Sequence, residues 1–139
     1  MERSSGAIIF HDNSEREFLL LHYESGHWDY VKGHIENEES EIKALIRETK
    51  EETGIKEKDI KIIDGFKEKI EYFYRHEGKV IKKEVVFYLA RSKTKDVKIS
   101  HEHIVYKWLS YEEALNQLTF KNAKDIMKKA NLFLKQRLV

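Results

Sequence analysis

The chain has 139 residues, enough for one domain with a proper core, and a net charge of +1 that gives no general attraction to nucleic acid. It has no cysteine, which excludes disulfides, a thiolate metal site and a cysteine nucleophile. The opening MERSSGAIIF has too short an apolar run for a signal peptide, and no segment approaches the roughly 18 apolar residues of a membrane span, so a cytoplasmic location with no membrane partner and no stable nucleic-acid partner is expected.

Residues 5–10 (SGAIIF) and 17–23 (EFLLLHY) read as strands joined by a polar turn at 12–16. A short stretch, 27–32 (HWDYVK), leads into GHIENEESEIKALIRETKEETGI at 33–55. Within that segment 40–53 predicts a helix, rich in good helix formers and stopped by Gly54. Ile42, Leu45, Ile46, Thr49 and Thr53 recur at helical spacing as its buried stripe, where the Thr49 methyl packs and its hydroxyl can bond back one turn. Residues 60–63 and 66–74 read as extended, 76–79 with Gly78 as a hairpin turn, and 80–90 as the returning strand with VVFYLA buried. Residues 104–109 (IVYKWL) make another strand, and 111–118 and 121–134 make helices, the second with Ala123, Met127, Ala130 and Leu134 inward. Strands on either side of a central helix, then terminal helices, predict an α/β fold with a mixed sheet between helical layers, in a single domain over 1–139.

The central helix carries the chemistry. Glu48, Glu51 and Glu52 follow i, i+3, i+4 and share a face beside the buried stripe. Like charges at that spacing repel by a few tenths of a kcal/mol per pair, and a cation would neutralise them. Oxygen ligands suit Mg²⁺ or Mn²⁺, with substrate phosphates completing the shell. The plainer alternative is a solvated acidic face, since 37% of the chain is charged. Register argues against it: Gly33, Glu39, Arg47 and Gly54 stand at fixed distances around the acids. Gly33 is expected to open a loop in a backbone conformation other residues resist. Arg47 can hold a glutamate by a bidentate pair and so orient the acids.

These seven positions resemble the Nudix box: G, five residues, E, seven residues, R-E, an apolar residue, any residue, E-E, any residue, G, apolar. Thr49, where an aliphatic residue is usual, is the one soft departure. The resemblance implies an α/β/α sandwich and metal-dependent hydrolysis of a nucleoside diphosphate linked to another group. It also implies Glu48 and Glu52 as the core metal ligands, Glu51 as a further metal-binding acid, and a supporting role for Glu39.

Motifs outside the box are similar to the diadenosine tetraphosphate hydrolases of the animal and archaeal type. They are Trp28 with Lys32-Gly33-His34, GFKEKIEY at 65–72, SHEHIVYKWLSYEEA at 100–114, and Phe120-Lys121. Where that family often has a proline pair before KGH, this chain has Tyr30 and Val31. The resemblance makes Glu102 an active-site acid, binding a further metal or positioning water. An exposed loop acid is the bland alternative. His101 and His103 alone would make an incomplete zinc site. Lys32, beside the box, and Lys83, matching the family's basic residue, are candidates to neutralise the phosphate chain. His27 is a weaker candidate for the same task, and His34 is left open. Tyr72 and Phe120 match the family's base-stacking positions, whereas Trp28 and Trp108 read as packing residues.

The implied reaction is attack by water on a phosphorus of diadenosine tetraphosphate, giving ATP and AMP, with Glu51 or Glu52 removing the proton. A nucleoside triphosphate, ADP-ribose or a triphosphorylated RNA 5′ end are alternative substrates, and a catalytically silent nucleotide sensor is the alternative of another class. Oligomeric state is not readable from these residues.

Overall fold

The structure is a computed structural model and describes residues 2–100 and 103–137, the side chain of Ile104 excepted. Strand β1 (Glu2–Asp12) turns into β2 (Arg16–Tyr23), and two short strands follow, β3 (Trp28–Asp29) and β4 (Val31–His34). Helix α1 (Glu41–Thr53) comes next, then the long hairpin β5 (Ile60–His76) and β6 (Lys79–Ser92). Strand β7 (His103–Leu109) and helices α2 (Tyr111–Gln117) and α3 (Lys121–Gln136) complete the described chain.

β1 is the hub of the sheet. It pairs antiparallel with β2 and β4 and parallel with β6, which itself pairs antiparallel with β5. β3 and β7 both join β2. Alternation along the strands sorts side chains onto two faces. Ile8, Phe10, Phe18, Leu20, Phe87 and Leu89 meet Ala123, Met127 and Ala130 of α3 on one face. Ala7, Ile9, Leu19, Leu21 and Val31 meet Leu45 of α1 on the other. The result is the mixed sheet between helical layers that the sequence predicts.

Local chemistry sets the limits of α1. Ser40 caps it by accepting from the Lys43 N–H, and Gly54 ends it in the left-handed region at φ 77°. The loop after β6 then satisfies its last carbonyls, with Lys98 N–H donating to Thr53 and Ser100 N–H to Glu52.

Four details differ from the sequence reading. Residues 60–63 and 66–74 form one strand, interrupted by a register shift between Ile62 and Lys67. In α1, Ala44 and Glu52 are buried, while Ile42 and Ile46 are only partly covered. The Thr49 hydroxyl does not bond back: Oγ1 has no hydrogen-bond partner among the described residues, and it is Thr53 Oγ1 that donates to the Thr49 carbonyl, at 2.6 Å. Gly33 lies in β4, paired with Ser5, rather than opening a loop, and its φ is not positive.

Tyr30 and Val31, standing where the similar family often has prolines, are held by packing and pairing. Val31 pairs with Ala7. Tyr30 is fully buried, its ring edge-on to Phe87, and its hydroxyl donates to the Ala123 carbonyl at 2.6 Å. That bond ties the segment leading into the box to the first turn of α3. The segment is clamped again by Trp28 N–H to Thr119 Oγ1, 2.8 Å.

Candidate active site

A cleft of about 800 Å³ lies where β1 begins and β2 ends, between α1 and the start of α3. Its lining includes His27, Lys32, Glu48, Glu51, Glu52, Tyr72, Lys83 and Phe120. All the sequence-stated site residues except Glu102 are therefore together, and Glu102 lies outside the described residues, as does His101.

Each arrives by a separate rule. Tyr72 and Lys83 are direct partners across β5 and β6, so their side chains share a face. Lys32 comes from β4, and Phe120 is the residue that caps α3. His27 sits in the turn before β3, its ring stacked on Tyr23 at 4.7 Å and 5.3 Å from Phe120. Burial lowers the pKa of His27, with Asp29 opposing and Lys32 adding to that effect.

The acids divide into a sunken pair and a rim. Glu52 is buried, and Glu48 is largely covered. Glu51 remains 58% exposed. Among the described residues no three acidic or histidine groups are gathered tightly enough to form a metal cluster. Arg47 organises them: Nε and Nη2 form the expected bidentate pair with Glu39, at 2.7 and 3.0 Å. Its Nη1 donates to Glu48 at 2.9 Å and Glu51 at 3.2 Å, and Nη2 also reaches the His34 carbonyl. Hydrogen bonds from Arg47 and from the Glu36 N–H hold Glu39 down to about 2, whereas Arg47 itself is raised.

Glu48 goes the other way. Burial, then the charge and hydrogen bond of Glu52, push its carboxyl up to about 7, although Arg47 pulls it down. Gly33 explains how close it sits: a Cβ there would lie 1.9 Å from Glu48 Cδ. The glycine is required for space, which replaces the conformational role expected of it. Two hard-oxygen groups in one cradle, one holding its proton more tightly because of burial and then the other's charge, fit a divalent cation.

That raised carboxyl has a sign. The folded protein holds the Glu48 proton more tightly than the unfolded chain, where 4.5 is the ordinary value. The increment of stability this gives is present below pH 4.5 and is lost as pH rises through 7. A cation bound at the pair would offset the loss. The rise in Tm on adding Mg²⁺ is therefore expected to grow between pH 5 and pH 8, measured by differential scanning fluorimetry. A rise that does not change with pH would contradict it.

Two residues at the pair were not recognised from sequence as its partners. His103 is buried with Nε2 3.2 Å from Glu52 Oε1 and Nδ1 3.0 Å from Ser100 Oγ. Tyr23 Oη donates to the Tyr30 carbonyl at 2.7 Å and lies 3.4 Å from the same Glu52 oxygen. Its position was legible: Leu19, Leu21 and Tyr23 alternate onto the face that α1 covers. Trp28 and Trp108 pack as expected, Trp28 stacked on His22 at 4.5 Å and Trp108 donating to the Lys95 carbonyl.

Fold, box and cleft agree on one class, and the NUDIX domain pattern matches residues 2–130. The chain belongs to the Nudix family and is a Nudix hydrolase. It is 38% identical to the mouse asymmetrical bis(5′-nucleosyl)-tetraphosphatase over 143 residues, covering 95% of each chain. The enzyme of that name from Caenorhabditis elegans is 35% identical, with 95% of this chain and 96% of that one covered. A crystal structure of a C. elegans Ap4A hydrolase binary complex superposes with a TM-score of 0.87 at 33% identity, over 98% of this chain and 99% of that one.

Proposed function

We propose that this protein hydrolyses dinucleoside polyphosphates, with diadenosine tetraphosphate the preferred substrate and ATP and AMP the products. One observation carries the reading: base-stacking, cationic and acidic side chains from separate elements line a single cleft. The similarity over nearly the whole chain to asymmetrical tetraphosphatases supports it.

Glu48 and Glu52 are the metal-holding pair, with Glu51 at the rim and Glu102 completing the set. A divalent cation there, Mg²⁺ or Mn²⁺, would supply Lewis-acid polarisation of phosphate oxygens and a lower pKa for water. The protein's own groups do the rest. Lys32 and Lys83 place two point charges along the phosphate chain, where they stabilise charge developing on the leaving phosphate. His27 stands beside them as a further phosphate contact. Arg47 keeps Glu48 and Glu51 oriented. Water attacks a phosphorus in line, and Glu51 or Glu52 accepts its proton; no covalent intermediate is needed.

Tyr72 and Phe120 stack an adenine. Stacking is worth about 1–3 kcal/mol per base, so Tyr72→Ala and Phe120→Ala should each raise KM roughly 5- to 150-fold while kcat changes little. Steady-state kinetics on diadenosine tetraphosphate check this, and an unchanged KM in both variants would remove the stacking assignment. The substrate itself is tested by comparing initial rates on diadenosine tetraphosphate, ATP, ADP-ribose and a triphosphorylated RNA. The dinucleotide should have the highest kcat/KM; a higher value for any of the other three would replace it.

A further inference from the structure

We propose that Asp29 is a positioning residue for Lys32, holding the ammonium in the cleft before substrate arrives. The inference rests on the assignment of Lys32 to the phosphate chain. Lysine is a flexible point charge, and an unrestrained one must lose rotamer freedom when it binds. Here Lys32 Nζ lies 2.9 Å from Asp29 Oδ2, and the carboxylate side chain is only 5% exposed. The other carboxylate oxygen, Oδ1, accepts from the Tyr30 N–H at 2.8 Å. Asp29 is thus anchored at one oxygen and presents the other to the ammonium.

The anchor is built into the fold. Asp29 pairs with Leu21 across β2 and β3. Tyr30, whose N–H it accepts, is tied to α3 through the Ala123 carbonyl. Asp29 and Lys32 also stand together, with Tyr72 and Phe120, around a second cavity of about 280 Å³ that adjoins the cleft. The carboxylate takes one direction of an ammonium that has three N–H donors, which leaves the others for phosphate. A buried acid beside a phosphate-binding lysine would otherwise only weaken the lysine's pull on an anion. Fixing the ammonium in place is what offsets that loss.

The test is a double-mutant cycle on diadenosine tetraphosphate, with kcat and KM separated. Asp29→Asn should lower kcat about 10-fold and Lys32→Met about 30-fold or more, and the double variant should be no slower than Lys32→Met alone. A lower KM with unchanged kcat in Asp29→Asn would mean that the acid only dampens the charge, and would overturn the inference. So would full additivity with Lys32→Met, in which case Lys32 keeps its role and Asp29 loses this one. An unimpaired Lys32→Met enzyme would remove the assignment of Lys32 and the inference together. Should Asp29→Asn not fold, NMR relaxation of the Lys32 ammonium in the wild-type protein decides: restricted motion relative to the exposed lysines supports the inference, and equal motion overturns it.

Discussion

Glu52→Gln is expected to lower kcat about 10³–10⁴-fold while raising the Tm of the metal-free protein. The two effects have opposite signs for one physical reason. Glu52 is buried beside Glu48, and its charge is among the causes that push the Glu48 carboxyl up to about 7. Glutamine keeps the shape and an oxygen that can still meet His103 and Tyr23, but it removes the charge. Glu48 then returns toward the ordinary carboxylate range and the repulsion disappears. A site kept for catalysis at the expense of stability behaves in this way. A residue kept only for packing would lose stability on substitution. Fluorimetry without metal and steady-state kinetics with Mg²⁺ give the two numbers, and a fall in Tm alongside retained kcat would contradict the assignment.

Gly33→Ala should cost about 10²-fold in kcat with only a small change in Tm, because a displacement of an ångström at a reacting centre is enough for such a loss. The added Cβ would fall 1.9 Å from Glu48 Cδ and 2.2 and 2.3 Å from its two oxygens. The clash is with the far end of a flexible side chain, so the carboxylate swings away and the backbone stays. The backbone has no reason to object, since Gly33 sits in a strand without a positive φ. A large drop in Tm would show instead that the strand itself cannot take a side chain.

Much of this was readable before the fold was known, and the residues show why. The acid spacing of Glu48, Glu51 and Glu52 is a helical period, and Ser40 and Gly54 mark the ends of the helix that carries it. Tyr72 and Lys83 flank a hairpin turn at Glu77 and Gly78, so their pairing follows from strand geometry. Contacts that depend on depth were not readable. Nothing in the period separates Glu51, at the rim, from Glu52, sunk four residues beyond Glu48. Gly33 looked like a loop glycine because a sequence shows conformational demands more readily than a neighbouring carboxylate 1.9 Å from a missing Cβ. His103 looked like half of an incomplete metal site. Its burial against Glu52 depends on where β7 starts beside β2, which is a matter of register. The link between Asp29 and Lys32 belongs to the same group, since the cavity they share beside the cleft forms only once the sheet is assembled.

We expect off-centre hydrolysis of a dinucleoside tetraphosphate at the Glu48 and Glu52 pair. The most direct test is a chromatographic product profile on diadenosine tetraphosphate with Mg²⁺, run beside Glu52→Gln. Equimolar ATP and AMP from the wild type, and neither from the variant, is the predicted result. Two molecules of ADP, or no turnover of the dinucleotide alongside release of pyrophosphate or AMP from another nucleotide, would contradict it.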